Sequence, residues 1–171
     1  MPGKFRRIAV EEAFSIPEVA QELKRISRAP SESLDMLLVR GIYDSTPGEA
    51  GYARMDFLSS LIDIEERRLK EMDEHGVDMQ VLSLTAPGVQ MFDADTACEL
   101  ATLANDRLAE IIARHPGRFA GLATFAPQAP KRAVKEMERA VRELKLNGFI
   151  LNSHTNGEYL DDPKYWPILE A

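Results

Sequence analysis

The feature that most constrains this chain is an apolar run that recurs four times, with segments of helical spacing between the copies. The runs occupy residues 8–14, 79–85, 119–125 and 148–155. Short apolar runs of this kind are typical of buried strands, and strands separated by a full helix pair in parallel. The pattern predicts a series of βα units whose chemistry lies at the carboxyl ends of the strands.

Two architectures accommodate parallel strands joined by right-handed crossovers, namely an open doubly wound sheet and a closed (β/α)8 barrel. No run is followed by the glycine-rich phosphate loop of nucleotide-binding open sheets, which favours the barrel. A barrel needs about 250 residues, whereas this sequence has 171. Its last residues, 161–171, have the pattern of the start of a further crossover helix. We predict an α/β fold of the TIM-barrel type over residues 1–171, with about four βα units in sequential order.

Local signals set the helix boundaries. Ser15 as N-cap and Pro17 just inside predict a helix to about Ser27. Residues 28–54 read as an irregular insertion with one helical turn near residues 33–39, interpreted as a lid or an oligomer contact over the strand ends.

Apolar spacing predicts three further helices. One covers residues 56–75 and stops at Gly76, one begins near Asp93 or Asp95 and ends at residues 115–117, and one runs from Pro130 through Leu144 to residues 147–148.

Charge and composition narrow the classes of partner. The net charge is −7, with acidic residues spread along the helices, which argues against a nucleic-acid surface or a basic membrane patch. No run approaches the ~18 apolar residues of a membrane span, and the N-terminus lacks a signal-peptide core. The lone Cys98 cannot form an internal disulfide and fits a buried helical position. We expect a soluble cytoplasmic protein that acts on a small molecule.

Histidines divide into two groups by position. His75 and His115 stand at helix ends, where an imidazole suits the last carbonyls and the helix dipole, so both are expected to be structural. His154 follows an apolar run, where barrel enzymes carry catalytic groups, although a turn histidine between Ser153 and Thr155 is the alternative.

Two other strand ends carry candidate groups. Glu11 and Glu12 point to opposite faces of the first strand, and the pattern does not settle which one points inward. A carboxylate buried there would need a partner or a metal. Thr85 closes the second run before a Pro-Gly turn, as a substrate contact or as part of an ordinary loop.

Several motifs together resemble the amidohydrolase superfamily, in its branch of metal-dependent, non-oxidative decarboxylases. They are Ile-Ala-Val-Glu-Glu-Ala-Phe at 8–14, Leu-Thr-Ala-Pro-Gly-Val-Gln at 84–90, Ala-Asn-Asp at 104–106, Pro-Gly-Arg-Phe at 116–119, Ala-Pro-Gln at 126–128 and Leu-Asn-Ser-His-Thr at 151–155. The subgroup most similar is that of the 5-carboxyvanillate decarboxylases, and the γ-resorcylate decarboxylases are more distant. The resemblance spans almost the whole chain.

The resemblance implies a site for one Mn²⁺ or Zn²⁺ at the strand ends, with Glu11 as a ligand from the first strand. Many relatives add a histidine two residues later, where this chain has Ala13, as in the carboxyvanillate-type enzymes. The family's other ligands, a histidine and an aspartate, would follow later strands, beyond Ala171. Such sites need about three protein ligands, so we expect the 171-residue chain alone to be inactive.

The resemblance implies decarboxylation of a hydroxylated aromatic carboxylate with release of CO2. His154 is then the candidate catalytic residue and Thr85 the candidate substrate contact. A metal-dependent hydrolase of the same superfamily is an alternative. So is a non-catalytic half-barrel module that self-associates, because an open sheet exposes unpaired strand edges. We expect a homo-oligomer.

Overall fold

Four parallel strands form one sheet in the computed structural model, which describes residues 5–43 and 57–171. The strands are β1 (Ile8–Phe14), β2 (Met79–Leu84), β3 (Phe119–Ala123) and β4 (Gly148–Phe149). The helices are α1 (Pro17–Ser27), α2 (Leu34–Tyr43), α3 (Phe57–Ile62), α4 (Arg67–His75), α5 (Ala94–Arg114), α6 (Pro130–Arg142) and α7 (Trp166–Glu170), the last preceded by a 3-10 turn (Pro163–Tyr165). The strand order β1-β2-β3-β4 confirms the sequential βα units.

The strand register aligns the carboxyl ends of β1 and β2, where the candidate functional residues lie. Ile8 lies opposite Met79 and Phe14 opposite Leu84, so β1 and β2 end at the same edge. The main core joins the strands to α1, α2, α4 and α5; its members with no exposed surface are Val19, Leu23, Val39, Leu82, Val89, Ala97, Ala104, Leu108 and Ala140. Val10 of β1 remains 70% exposed. Within the described residues, no helix has the length and apolar character that crossing a membrane requires.

Helix α1 begins as predicted, although not with the predicted cap. Pro17 occupies its first turn, but the N-cap residue is Ile16, and no side chain caps the helix. The Ser15 hydroxyl contacts the Ile16 carbonyl at 3.4 Å, while its backbone N–H donates to the Leu61 carbonyl at 2.9 Å. The Ser15 N-cap prediction was wrong because Ser15 ties the end of β1 to α3.

The insertion contains more helix than predicted. Instead of one turn, α2 runs from Leu34 to Tyr43 and packs on α1. The Ser33 hydroxyl accepts from the Met36 N–H at 3.2 Å, which caps the helix start. The rest of the predicted insertion, residues 44–54, lies outside the described residues.

The single helix predicted over residues 56–75 is two helices. The break follows Ile62, where Asp63 Oδ1 accepts from the backbone N–H groups of Glu66 (3.0 Å) and Arg67 (3.2 Å). Apolar spacing continued through the break because Ile64 is buried there. Gly76 ends α4 with φ 68°, a left-handed conformation that favours glycine, as predicted.

Helix α5 carries the polar contact that joins three elements. Asp93 is its N-cap and accepts from the N–H groups of Asp95 and Thr96, which confirms the predicted start. Buried Asn105 donates to the Thr124 carbonyl (2.8 Å) and to Glu136 (2.7 Å), and it accepts from the Thr124 N–H (2.9 Å). Asn105 therefore fixes α5 to the end of β3 and to α6.

The fourth strand is much shorter than the predicted run over residues 148–155. Regular pairing covers Gly148–Phe149, and the Ile150 N–H adds one bond to the Ala123 carbonyl at 2.9 Å. Beyond Ile150, hydrogen bonds with the Gln90 side chain replace the backbone pairing of the strand. Helix α6 starts at Pro130 as predicted but ends at Arg142, before the predicted end at residues 147–148.

Candidate active site

The two carboxylates of β1 face different surroundings. Glu12 lies 3.8 Å from the guanidinium of Arg68, which extends from α4, so Glu12 faces the helices. In a regular strand, neighbouring residues point to opposite faces, so the helix-facing position of Glu12 favours the other face for Glu11. The exposed side chain of Glu11 makes no hydrogen bond or ion pair with another described residue. Of the two glutamates that the sequence left open, Glu12 therefore faces the helices, and Glu11 remains the candidate for the inward position.

A bulge in β1 accompanies this arrangement. Ala9 pairs with Gln80 and Glu12 with Leu82, so two residues of β1, Val10 and Glu11, oppose one residue of β2. Bulges re-aim side chains near active sites. Here the bulge contains the candidate metal ligand.

Thr85 lies at the carboxyl end of β2, beside the end of β1. Its N–H donates to the Phe14 carbonyl at 2.9 Å, and its own carbonyl accepts from the Gly88 N–H at 2.8 Å. The second bond closes a turn in which Gly88 has φ +60°, a conformation that favours glycine. The half-buried Thr85 is therefore held at the strand-end edge by its backbone.

His154 lies in the loop after β4, with both ring nitrogens in contact. Nε2 is 2.7 Å from Asp35 Oδ2, and Nδ1 is 3.1 Å from the Ser153 hydroxyl oxygen. The side chains of His154 and Asp35 are 30% and 29% exposed. Asp35 belongs to α2, so the insertion reaches over the strand ends and contacts the candidate catalytic residue.

The buried side chain of Gln90 holds the loop that contains His154 through hydrogen bonds. Its Oε1 accepts from the Asn152 N–H at 2.9 Å, and its Nε2 donates to the His154 carbonyl (2.8 Å) and the Thr155 hydroxyl (2.7 Å). Asn152 in turn donates from its side chain to the Pro87 carbonyl at 3.1 Å. One amide therefore joins the β2–α5 loop to residues 152–155.

A cavity of about 180 Å³ opens between α2, the β2–α5 loop and the loop after β4. Asp35, Gln90, Asn152 and His154 line it; Glu11 and Thr85 do not. The structure therefore brings His154 together with Asp35 and Gln90, and Thr85 together with the end of β1.

The metal-ligand chemistry is incomplete in this chain. Glu11 offers a single oxygen-donor side chain, and no three histidine, cysteine or acidic residues converge within the described ranges. Catalytic divalent sites use about three protein ligands. The residues present do not fit a complete metal site, although Glu11 suits one position of it.

The other histidines and the cysteine lie away from this edge. His115 Nε2 contacts Glu65 Oε1 at 2.7 Å rather than a helix carbonyl, and the carbonyl of exposed His75 accepts from Arg7. Hydrogen bonds from Arg114 and then His115 lower the pKa of Glu65. Cys98 is half-buried rather than buried as predicted, and this partial burial raises the pKa of its thiol, which disfavours the reactive thiolate.

Sequence reasoning missed Asp35 and Gln90. Asp35 falls in the segment predicted to be largely irregular, and its contact with His154 spans 119 positions. Gln90 stands alone between Val89 and Met91, and an isolated amide among apolar residues is a signal for a buried, hydrogen-bonded group.

Comparison with known proteins gives a consistent result. The amidohydrolase family profile matches residues 58–171. The structure superposes on 5-carboxyvanillate decarboxylase from Sphingomonas paucimobilis with a TM-score of 0.90 and 50% identity, covering 98% of this chain and 48% of that one. A dihydroxybenzoic acid decarboxylase from Polaromonas sp. JS666, solved with bound manganese and 2-nitroresorcinol, gives a TM-score of 0.73 and 34% identity, covering 98% and 46%.

A curated relative agrees. Gamma-resorcylate decarboxylase from Rhizobium radiobacter is 35% identical over 98% of this chain and 46% of its own length. The chain therefore spans about half the length of the relatives it matches, and its sheet corresponds to four βα units of their (β/α)8 barrel. With the family profile over most of the chain and these relatives over nearly all of it, the chain belongs to the amidohydrolase family.

Proposed function

We propose that this chain forms the N-terminal part of a metal-dependent, non-oxidative decarboxylase that releases CO2 from a hydroxylated aromatic carboxylate. The observation that carries the proposal is 50% identity to 5-carboxyvanillate decarboxylase over 98% of the chain, with a TM-score of 0.90. Fold alone would not support an activity.

Glu11 is the proposed metal ligand of the chain. Its exposure, its position in the β1 bulge and the contact of Glu12, not Glu11, with Arg68 of α4 support this role. Carboxylate oxygen is a suitable donor for Mn²⁺ or Zn²⁺. Manganese in the solved relative supports a divalent ion in the complete barrel, and the remaining ligands would come from outside this chain.

His154 and Thr85 are the proposed residues that act on the substrate. Decarboxylation leaves a ring carbon that must gain a proton, and an imidazole at the strand-end edge can carry one. Thr85 has a hydroxyl at the same edge, held beside the end of β1 through the 2.9 Å bond to Phe14. We assign His154 to proton transfer and Thr85 to binding an oxygen atom of the aromatic acid.

The test is to complete the barrel. The chain is co-produced with the C-terminal half of the Sphingomonas 5-carboxyvanillate decarboxylase, and CO2 release is measured on a panel of hydroxylated benzoates with Mn²⁺ present. Turnover of at least one member is expected. A folded, metal-loaded complex without turnover on any member would contradict the proposal.

Two adjacent glutamates provide a matched pair for the metal role. In the completed barrel, Glu11→Gln should remove metal and lower kcat by at least about a hundredfold, since even the groups around metal ligands account for 10–100-fold. Glu12→Gln changes the residue that faces Arg68 across 3.8 Å and should leave metal content unchanged. The reverse pattern would reject Glu11 as the ligand.

For the 171-residue chain alone, we propose inactivity, weak metal binding and self-association. Val10 and Ile8 on β1 are 70% and 47% exposed, and such apolar strand edges favour pairing with another chain. Metal analysis after dialysis and light scattering test this. One equivalent of metal per chain with turnover would show that two copies build the site together. A cytoplasmic location stays a prediction.

A further inference from the structure

We propose that Gln90 and Asp35 are positioning residues that fix the backbone and the ring of His154. The inference rests on the proposed function in treating His154 as the catalytic group. Neither residue follows from the metal site or from the fold core, because both act through contacts at the 180 Å³ cavity beside His154.

Gln90 fixes the main chain of the loop. After β4 ends at Phe149, the backbone beyond Ile150 loses its regular partners until the Thr155–Glu158 bridge. Three hydrogen bonds from Gln90 cover the interval, at 2.7, 2.8 and 2.9 Å. Both N–H donors and one acceptor site of the amide are used. A buried amide with this occupancy has a single allowed orientation, so it sets where the His154 carbonyl lies.

The loop that contains Gln90 is itself held by a second glutamine, Gln128. The Gln128 side chain donates to the carbonyls of Val89 and Phe92, each at 2.9 Å, and so holds the loop on both sides of Gln90. Gln128 thus contacts the β2–α5 loop, whereas Gln90 joins that loop to residues 152–155. The two glutamines therefore form a natural pair for separating general loop stability from the specific contact with residues 152–155.

Asp35 fixes the imidazole ring. An ionised carboxylate only accepts hydrogen bonds, so the 2.7 Å contact requires the proton of neutral His154 to sit on Nε2. Nδ1 is then the basic nitrogen and accepts from the Ser153 hydroxyl at 3.1 Å. A carboxylate that selects the tautomer of a catalytic imidazole prepares the opposite nitrogen for proton transfer. The basic atom of His154 is thus Nδ1, which takes up a proton from solvent and can then pass that proton to the ring carbon.

The first experiment reads the ring directly. Long-range ¹H–¹⁵N spectra of the labelled chain, at alkaline pH where an imidazole is neutral, should report His154 as the Nε2–H tautomer. Asp35→Ala should lose this preference and give a mixture, whereas Asp35→Asn, which keeps an acceptor, should restore it. Asp161→Ala is the control, an exposed acidic residue in a nearby turn. An unchanged tautomer in Asp35→Ala would overturn the role of Asp35.

The second experiment reads the backbone. Gln90→Met keeps the side-chain volume and removes all three hydrogen bonds. The Asn152 amide should then exchange about fivefold faster, the factor expected for one lost hydrogen bond of about 1 kcal/mol. The His154 tautomer should become mixed as well. Gln128→Met loosens the same loop without removing a hydrogen bond to residues 152–155, so it should change both signals less than Gln90→Met does. Equal effects from the two variants, or no effect from Gln90→Met, would overturn the role of Gln90.

These readouts need no turnover, so they stand or fall separately from the decarboxylase proposal. In the completed barrel, Gln90→Met and Asp35→Ala should lower kcat more than they raise KM, because misplacing a proton-transfer group affects the chemical step. Altered spectra with unchanged kcat would show that His154 is positioned but is not catalytic.

Discussion

Two buried side-chain amides, Asn105 and Gln90, use the same chemistry in different regions. Asn105 is 1% exposed and connects α5, β3 and α6, which are regular elements with their own backbone hydrogen bonds. Gln90 is 6% exposed and connects the β2–α5 loop to residues 152–154, whose backbone groups lack such bonds. Each amide makes three hydrogen bonds. The difference lies in what would remain if the amide were removed.

Around Asn105 the strand and helices would persist, with unpaired polar groups trapped between them. Around Gln90 residues 152–155 could move towards solvent and pair with water. Asn105 therefore supports global stability, whereas Gln90 supports local geometry. The same residue chemistry serves the fold in one region and the candidate site in the other.

The largest expected effect comes from Asn105→Ala. It leaves the Thr124 N–H and carbonyl and the Glu136 carboxylate without their partner in a buried region. Unsatisfied buried groups cost about 1–3 kcal/mol each, so the free energy of unfolding should fall by about 3 kcal/mol. Urea titration of the chain measures it. A loss no larger than that of Gln90→Met would break the comparison.

Glu136→Gln tests the charged part of the Asn105 region. Glu136 accepts from Asn105 and Arg139, and hydrogen bonding to Glu136 first, then to Asp106, raises the pKa of Arg139. The neutral amide of the variant loses one charge-assisted hydrogen bond to Arg139. Asp106 Oδ1 still accepts from Arg139 at 2.6 Å. We expect about 2 kcal/mol of destabilisation by urea titration. Glu138→Gln, an exposed residue 3.7 Å from Arg142, is the control and should change little.

Gln90→Met should destabilise the chain globally by only about 1 kcal/mol, because the released backbone groups can reach water. The Thr124 amide, held by Asn105, should exchange only through global unfolding, while the Asn152 amide should exchange through local opening. Hydrogen exchange at rising urea concentration separates the two routes. If both amides followed the global route, the loop after β4 would be part of the cooperative core.

Much of the framework could be predicted because its signals are local. Alternation of apolar runs and helical spacing gave the four strands in order, Asp93 and Pro130 marked helix starts, and Gly76 marked a stop. Each of these depends on residues within one or two turns. The strand-end motifs also identified the family, which the comparisons confirm.

The errors arose where distant contacts replace local rules. The apolar run after Gly148 continues past the strand, but regular pairing with β3 stops at Phe149 and the Gln90 side chain takes over. Asp35 and His154 meet across 119 positions, which no periodicity predicts. The geometry around His154 therefore needed the structure, whereas the position of His154 at the end of an apolar run did not.

The break between α3 and α4 was not predicted either. It contains Glu65, a surface residue that can be compared with the buried groups above. Glu65 accepts from Arg114 at 2.9 and 3.0 Å and contacts His115 at 2.7 Å, with its side chain 41% exposed. Solvent screens such a pair, so Glu65→Gln should cost about 0.5 kcal/mol at neutral pH.

The pH dependence of Glu65→Gln has a defined sign. The folded-state pKa of Glu65 lies below its ordinary value of 4.5, chiefly through Arg114. The unfolded chain therefore binds the proton more readily, and the stabilisation is complete above pH 4.5 and lost as pH falls through the folded-state pKa. The difference in unfolding free energy between parent and variant should shrink on acidification. Glu110→Gln, 3.9 Å from Arg114 and more exposed, should show less of this trend. A difference that grew at low pH would mean that Glu65 is protonated more readily in the folded chain.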